Sequence, residues 1–445
     1  MATRMKVHVG VTASVGLLLA CAVPAWAVSG DRSWTASLEA AYFNASAASP
    51  DGAVVFETGY SYTEGGASTV AYDAATGDEL WAKYVGTGQG FAIAVSPDGS
   101  TVFIAGEVTG PGGSDMLTVA YDALSGEPQW DAALDDSSDL VDAWDGAGGV
   151  SVSPDGSQVF VTGSTYRDEI ASATVAYDAQ TGDPLWAKVV RGLTGCTSTG
   201  HSLVTSPDGT AVFACVEALE PTSSIGTLAL DSATGAKVWL RRWAGPDDQN
   251  GQARAIAVSP DGMKVFSFGL VWSATYEEYH FGTVAYRTLS GRLSWAKRYA
   301  GPDAGRGWGE EASSMAVSPK GGSVVVTGQT NLGNGETAFA TIAYRTKDGA
   351  ERWKRLYDGP GEFDMAAAIG VSGSGAEVLV TGMSVGSDDA ADYVTIAYSV
   401  ADGATNWAKR FRPGSGPSTL AITPSSVVVS GQGGGGDAAT VAYAI

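Results

Sequence analysis

Ala92-Ile93-Ala94-Val95-Ser96-Pro97-Asp98-Gly99-Ser100-Thr101-Val102-Phe103-Ile104 is the stretch that decides the fold. Small and large residues alternate up to Val95, then Ser-Pro-Asp-Gly interrupts, then a second apolar run begins. The proline presets φ for a turn and the glycine accepts the positive φ that a tight hairpin needs. The chain continues in the same style. Leu117 to Tyr121 reads as a third strand, Ser125-Gly126 as the next turn, and Gln129-Trp130-Asp131-Ala132 as the start of a fourth. No 3.6-residue periodicity appears, so the unit from Phe91 to near Leu134 predicts a four-stranded antiparallel sheet.

That unit recurs along the chain. Ser-Pro-Asp-Gly begins at Ser49, Ser96, Ser153, Ser206 and Ser259, with degraded copies at Ser318, Ser372 and Thr423. Thr-Val-Ala-Tyr or a close variant begins at Thr69, Thr118, Thr174, Thr227, Thr283, Thr341, Thr395 and Thr440. Tryptophan keeps step at Trp34, Trp81, Trp130, Trp186, Trp239, Trp295, Trp353 and Trp407. A period of roughly 50 residues with four strands is the size of one propeller blade. A single four-stranded sheet with two apolar faces cannot bury both alone. Stacking such sheets in a closed ring does. Small inner-strand residues such as Ala94, Ser151 and Gly370 suit the crowded hub, and Val150, Ile256 and Met315 fill the gaps between blades.

Closure is also legible. The last period stops after its third strand, Thr440 to Ile445, while Trp34 has no strands before it. The strand around Ser33 to Leu38 should therefore complete blade eight. The prediction is an all-β, eight-bladed β-propeller occupying residues 28–445 as one domain.

Ala71-Tyr72-Asp73-Ala74-Ala75-Thr76-Gly77-Asp78-Glu79-Leu80-Trp81 resembles the tryptophan-docking motif of pyrroloquinoline-quinone-type propellers. Ala176 to Trp186 and Ala229 to Trp239 match the motif fully, and Ala120 to Trp130 has Ser125 in place of threonine. Arg287, Arg345 and Ser399 replace the aspartate in later copies. The resemblance covers nearly the whole of residues 28–445 and implies that the eight indoles dock between blades as a structural girdle. It extends to quinoprotein dehydrogenases, to outer-membrane assembly propeller lipoproteins and to exported repeat proteins.

The chain's ends and charge bear on where it works. Arg4 and Lys6, the apolar stretch Val9 to Val23 and Ala25-Trp26-Ala27 read as an export signal, residues 1–27. Leu18-Leu19-Ala20-Cys21 also resembles a lipoprotein cleavage box, so soluble export and a lipid anchor on Cys21 both stand. No later run has the length of a membrane-spanning helix. The 445 residues carry 26 Lys plus Arg against 48 Asp plus Glu, a formal charge of −22, which repels nucleic acid and anionic lipid surfaces. A monomer is expected. Cys196 and Cys215 flank the turn at Ser206 to Gly209, so they read as one disulfide of an exported chain or as two buried thiols.

Chemistry is sparser. In register, the mouth ends of the inner strands carry Asn44, Phe91, Gly148, His201, Arg254, Ser313, Ala367 and Ser418. His201 and Arg254 on neighbouring blades are candidates to hold an anion, with Asp145, Glu310 and Glu311 as nearby carboxylates. The resemblance implies a quinone and calcium only if the protein is a dehydrogenase, and this chain has no adjacent cysteine pair. The two histidines beyond the leader lack ligand spacing, so no metal or cofactor is expected. The acidic loop Asp135 to Asp145 reads as solvated or as a weak calcium site. One rim has short repeated turns; the other has long, dissimilar loops that include Trp272, Tyr276 and Trp308. Variable loops on a rigid ring are where binding sites are placed. The leading expectation is an exported, non-catalytic binding module for a protein, peptide or carbohydrate. A quinone-dependent sugar or alcohol dehydrogenase and an envelope-assembly lipoprotein are the alternatives.

Overall fold

Proline and glycine turns between β-branched runs leave the chain no continuous element longer than a strand, and the computed structural model follows that pattern. It describes residues 29–110, 113–134, 143–166, 169–196, 202–219, 222–302, 310–333 and 335–445. The expected leader, with Cys21, lies outside them. Eight four-stranded antiparallel blades form a ring, with one short 3-10 turn at Gly434–Gly436. Blade one runs outward from the hub as Ala41–Ala48, Val54–Ser61, Gly66–Asp73 and Glu79–Val85. Blade five runs as Gly251–Val258, Lys264–Ser273, Glu278–Arg287 and Leu293–Tyr299. Blades two and three also share a short parallel pairing, Ala143 with Gly113 and Trp144 with Ser114.

The apolar side chains divide into eight clusters, and each joins two neighbouring blades. Phe56 and Trp81 of blade one, for example, pack with Val102, Val119 and Tyr121 of blade two. The core is therefore not one mass but a ring of inter-blade seams.

Blade eight is built from both ends of the chain. Arg32–Leu38 pairs antiparallel with Ala438–Ala444, from Arg32 opposite Tyr443 to Leu38 opposite Ala438. The join copies an ordinary turn. In blade one Gly77 N–H donates to the Asp73 carbonyl at 2.8 Å and Asp73 N–H to Asp78 at 2.8 Å. At the join Gly30 N–H donates to Ala444 at 2.7 Å and Ala444 N–H to Asp31 at 2.9 Å. Gly30 and Gly77 share the left-handed region, at φ +87° and +78°. Closure is thus a Thr-Gly-type turn with its peptide link omitted.

Cys196 and Cys215 form a disulfide within blade four, with Cα atoms 5.7 Å apart. The inner edge of this blade is split into Leu193–Gly195 and Leu203–Thr205, both paired with Ala211–Ala218. The bridge fastens the end of the first piece to the strand both pieces share.

Candidate functional site

The tryptophans are fixed first, because they determine which residues are left for other work. Trp81 Nε1 donates to the Ala123 carbonyl of the next blade at 3.0 Å, and its ring covers Gly126. The same pattern links Trp34 to Ala74, Trp130 to Ala179, Trp186 to Ser232, Trp239 to Thr288, Trp295 to Thr346 and Trp353 to Val400. Trp407 packs on Gly30 across the nicked turn, and its buried Nε1 has no hydrogen-bond partner among the described residues. These indoles hold neighbouring blades together.

At the hub, the mouth residues sit at β-bulges. The register shifts between Phe43 and Ala45, Gly90 and Ala92, Ala147 and Gly149, Ala253 and Ala255, Ala312 and Ser314, Ala366 and Ala368, and Pro417 and Thr419. A bulge re-aims the extra side chain. Asn44 Nδ2 thereby reaches the Gly90 carbonyl at 2.9 Å, and Ser313 Oγ reaches that of Ala366 at 2.6 Å, each on the next blade. Arg254 donates to its own Ala253 carbonyl at 3.3 Å and to Gln252 Oε1 at 2.7 Å. His201 lies outside the described residues, as do Trp308 and the acidic loop 135–142.

The carboxylates are distributed rather than gathered. Asp145, Glu310 and Asp364 occupy one register position, three residues before the bulge, in blades three, six and seven, and all are buried. Each is served locally. Asp145 Oδ1 accepts from Tyr166 N–H at 3.3 Å, Glu310 Oε1 from Thr330 Oγ1 at 3.0 Å, and Asp364 Oδ2 from Gly359 N–H at 2.7 Å. Burial, helped by the nearby Glu278 charge, raises the Glu310 carboxyl to about 7. Glu311 is exposed at the start of its strand.

Blade five departs most from the loop expectation. Its second and third strands run on to Ser273 and Glu278, so Trp272, Tyr279 and His280 stand on an extended hairpin rather than in a loop. Alternation sorts them by face. Trp272 meets Tyr279 edge-on, with ring centroids 5.1 Å apart. On the opposite face His280 Nε2 lies 3.0 Å from Glu278 Oε1, and both are buried. Burial lowers the His280 pKa despite that carboxylate, which favours the neutral ring. Its Nδ1 has no hydrogen-bond partner among the described residues. Tyr276, 41% exposed at the tip, packs against the imidazole at 5.4 Å. Glu310 docks beside this hairpin through its N–H on the Tyr279 carbonyl, 2.9 Å. The structure therefore places Trp272 and Tyr276 on one hairpin but in separate contacts, Trp272 with Tyr279 and Tyr276 with His280; Glu310 joins that hairpin through its backbone alone, and Asp145 stands on another blade.

Two features escaped the sequence reading. Tyr42, Tyr60 and Tyr62 of blade one converge on the long-loop rim, with centroids 5.1 to 5.9 Å apart. Tyr42 Oη donates to Gln89 Oε1 at 2.6 Å, and Tyr62 is 55% exposed. The signal was available in the spacing Tyr60-x-Tyr62, whose side chains share a face. The second is Glu57, a fully buried carboxyl in a strand position that is apolar or small in the other seven blades.

A triply anionic quinone with calcium needs converging cations and a set of oxygen ligands. Among the described residues the hub mouth offers one cation, Arg254, engaged with its own strand. No group of three or more His, Cys, Asp or Glu among them is placed to hold a metal ion. The described residues do not fit that cofactor.

The comparisons with known proteins agree with this architecture. The family model described as outer membrane protein assembly factor BamB matches residues 22–259, more than half of the chain. Among curated proteins none matches. Among solved structures, BamB from Moraxella catarrhalis is 15% identical with a TM-score of 0.55, over 93% of this chain and 99% of that one. The quinohemoprotein alcohol dehydrogenase of Comamonas testosteroni is 13% identical with a TM-score of 0.58, over 93% and 76%. Sqt1 of Chaetomium thermophilum, solved with the N-terminus of ribosomal protein L10, is 14% identical with a TM-score of 0.58, over 91% and 98%. At these identities the likeness is one of fold. No helix among the described residues is long and apolar enough to cross a membrane. With its repeated motif, its eight-bladed ring and the match over residues 22–259, the chain belongs to the pyrroloquinoline-quinone-like β-propeller repeat family, that of the outer membrane protein assembly factor BamB.

Proposed function

We propose that the protein is an exported, non-catalytic propeller that binds a polypeptide partner on its long-loop rim. The observation that carries this is the asymmetry of the two rims. The turn rim is tiled with near-identical hairpins, whose aspartates are used internally: Ser96 Oγ donates to Asp98 Oδ1 at 2.6 Å, and this bond leads the causes that hold Asp98 near 2. The opposite rim carries dissimilar hairpins with exposed aromatic tips, Tyr62, Tyr166 and Tyr276. Tyrosine gives large contact area at low entropic cost and suits a polypeptide surface. The family's described role in outer-membrane protein assembly supports a protein partner over a sugar.

Photo-crosslinkers placed at Tyr62 and Tyr276, and for control at the exposed turn-rim residues Leu124 and Leu289, test the reading in an exporting host. Crosslinks to a polypeptide from the first pair alone are expected. Equal crosslinking from both rims would remove the proposed site. Uptake of pyrroloquinoline quinone and calcium with alcohol-dependent dye reduction would favour the dehydrogenase. Lipid found on Cys21 by mass spectrometry would add the anchor of an assembly lipoprotein.

A further inference from the structure

Position 57 interrupts a pattern. In the second strand of the other blades the equivalent residues are Ile104, Val161, Ala214, Ser267, Val326, Val380 and Val429. Blade one has Glu57, with none of its surface exposed. It lies between Ser46 and Val70 in its own sheet and faces blade eight, among Val55, Val70, Tyr72, Val428 and Ala442. Its Oε1 accepts from Ser430 Oγ, and its Oε2 from Thr440 Oγ1 at 3.0 Å. Both hydroxyls belong to blade eight, and Thr440 pairs directly with Ala36 of the N-terminal strand.

The molecule contains a neutral version of the same contact. In blade five Ser267 stands where Glu57 stands, and its hydroxyl meets Thr227 of the preceding blade at 2.7 Å. A hydroxyl therefore suffices to bridge two blades at this position. A carboxyl adds something a hydroxyl lacks: a proton that can be lost. An ionised carboxylate buried away from cations is strongly disfavoured.

We propose that Glu57 makes closure of the ring sensitive to pH: protonated, it fastens blade one to blade eight, and ionised, it loosens the blade assembled from the two chain ends. Burial raises this carboxyl to about 7, while the Ser430 and Thr440 hydroxyls oppose the shift. The other titratable groups that feel its charge are the phenols of Tyr72, on its own blade, and Tyr393, whose hydroxyl donates to the Gln432 carbonyl of blade eight. Both phenols are pushed further up by burial and stay neutral, so neither supplies a compensating charge. The sign follows from linkage. The folded group holds its proton to a higher pH than the unfolded one, so its contribution is complete below about 4.5 and falls as pH rises to about 7.

The test compares the wild-type chain with Glu57→Gln and with Glu57→Ser, the latter copying Ser267. Amide hydrogen exchange is followed from pH 5 to 8 in Ala438–Ala444, with Ala211–Ala218 of blade four as internal reference. In the wild type the ratio of the two rates should rise by up to about tenfold per pH unit below pH 7 and then level off. In both variants the ratio should stay flat. An equal rise in Glu57→Gln, or a wild-type ratio that does not change with pH, would overturn the proposal. If one variant fails to fold, the other and the wild-type profile still decide it.

Discussion

Gly182 and Gly192 separate two roles that glycine plays. Both have φ of +71°, but a Cβ on Gly182 would fall 2.6 Å from the Trp130 indole, whereas one on Gly192 would meet nothing within 4 Å. Gly192→Ala should cost about 1 kcal/mol from the left-handed backbone alone. Gly182→Ala adds displacement of a packed ring and should cost about 2–4 kcal/mol. Urea unfolding of the two variants checks this, and equal losses would mean that the indole moves freely. The tryptophans allow a second comparison. Trp239→Phe deletes a 2.7 Å bond to Thr288, while Trp407→Phe deletes none, so the first should be the more destabilising by about 1 kcal/mol. At this scale the sequence was informative wherever a residue repeats. Trp81 and Gly126 recur in every period, and the resemblance to the tryptophan-docking motif implied that the indole sits between blades. Glu57 and Tyr42 occur once, and a single residue carries no periodic signal about what lies across the next blade.

Among the elements, the strand Arg32–Leu38 and the disulfide are the two that the chain uses to fasten otherwise repeated parts. The strand was legible because an orphan tryptophan at one end matched a missing strand at the other. Blade five's hairpin was not, because Ala274 to Glu277 turns without glycine or proline and Glu277 itself takes φ +57°. Its long apolar and aromatic run therefore looked like a loop. For the disulfide, the chain-entropy model gives about 3 kcal/mol for a closed loop of this size. A Cys196→Ser/Cys215→Ser variant should lose about that much by equilibrium unfolding. An unchanged midpoint would show that the split inner edge of blade four is held by its strand pairing alone.

The whole molecule is a ring of eight seams under a large negative charge. Two of its buried acids, Glu57 and Glu310, have carboxyls raised to about 7. Each binds its proton more tightly when folded, so stability from both is present below about 4.5 and is lost as pH rises to about 7. Self-repulsion from the formal charge of −22 grows in the same direction. The thermal midpoint should therefore be higher near pH 5 than at pH 8, and added salt should recover part of the loss at pH 8 by screening. A midpoint that climbs toward pH 8 would contradict this. The architecture was readable because eight copies average out local noise. The buried acids were not, since burial depends on a neighbouring blade: Glu57 is covered by blade eight, whose Ser430 stands 373 positions away along the chain.

The nicked turn also gives the particle a polarity. Gly30 and Ile445 emerge beside the Ser-Pro-Asp-Gly turns, on the opposite end from the exposed tyrosines. Any tether on the N-terminal side would hold that flat end toward its support and present the aromatic hairpins outward. For an acyl group on Cys21, the eight residues to Ser29 would allow a stand-off of at most about 28 Å. The orientation of such a particle at a bilayer would thus be set by where its circle of sheets is closed without a peptide bond, before any partner arrives.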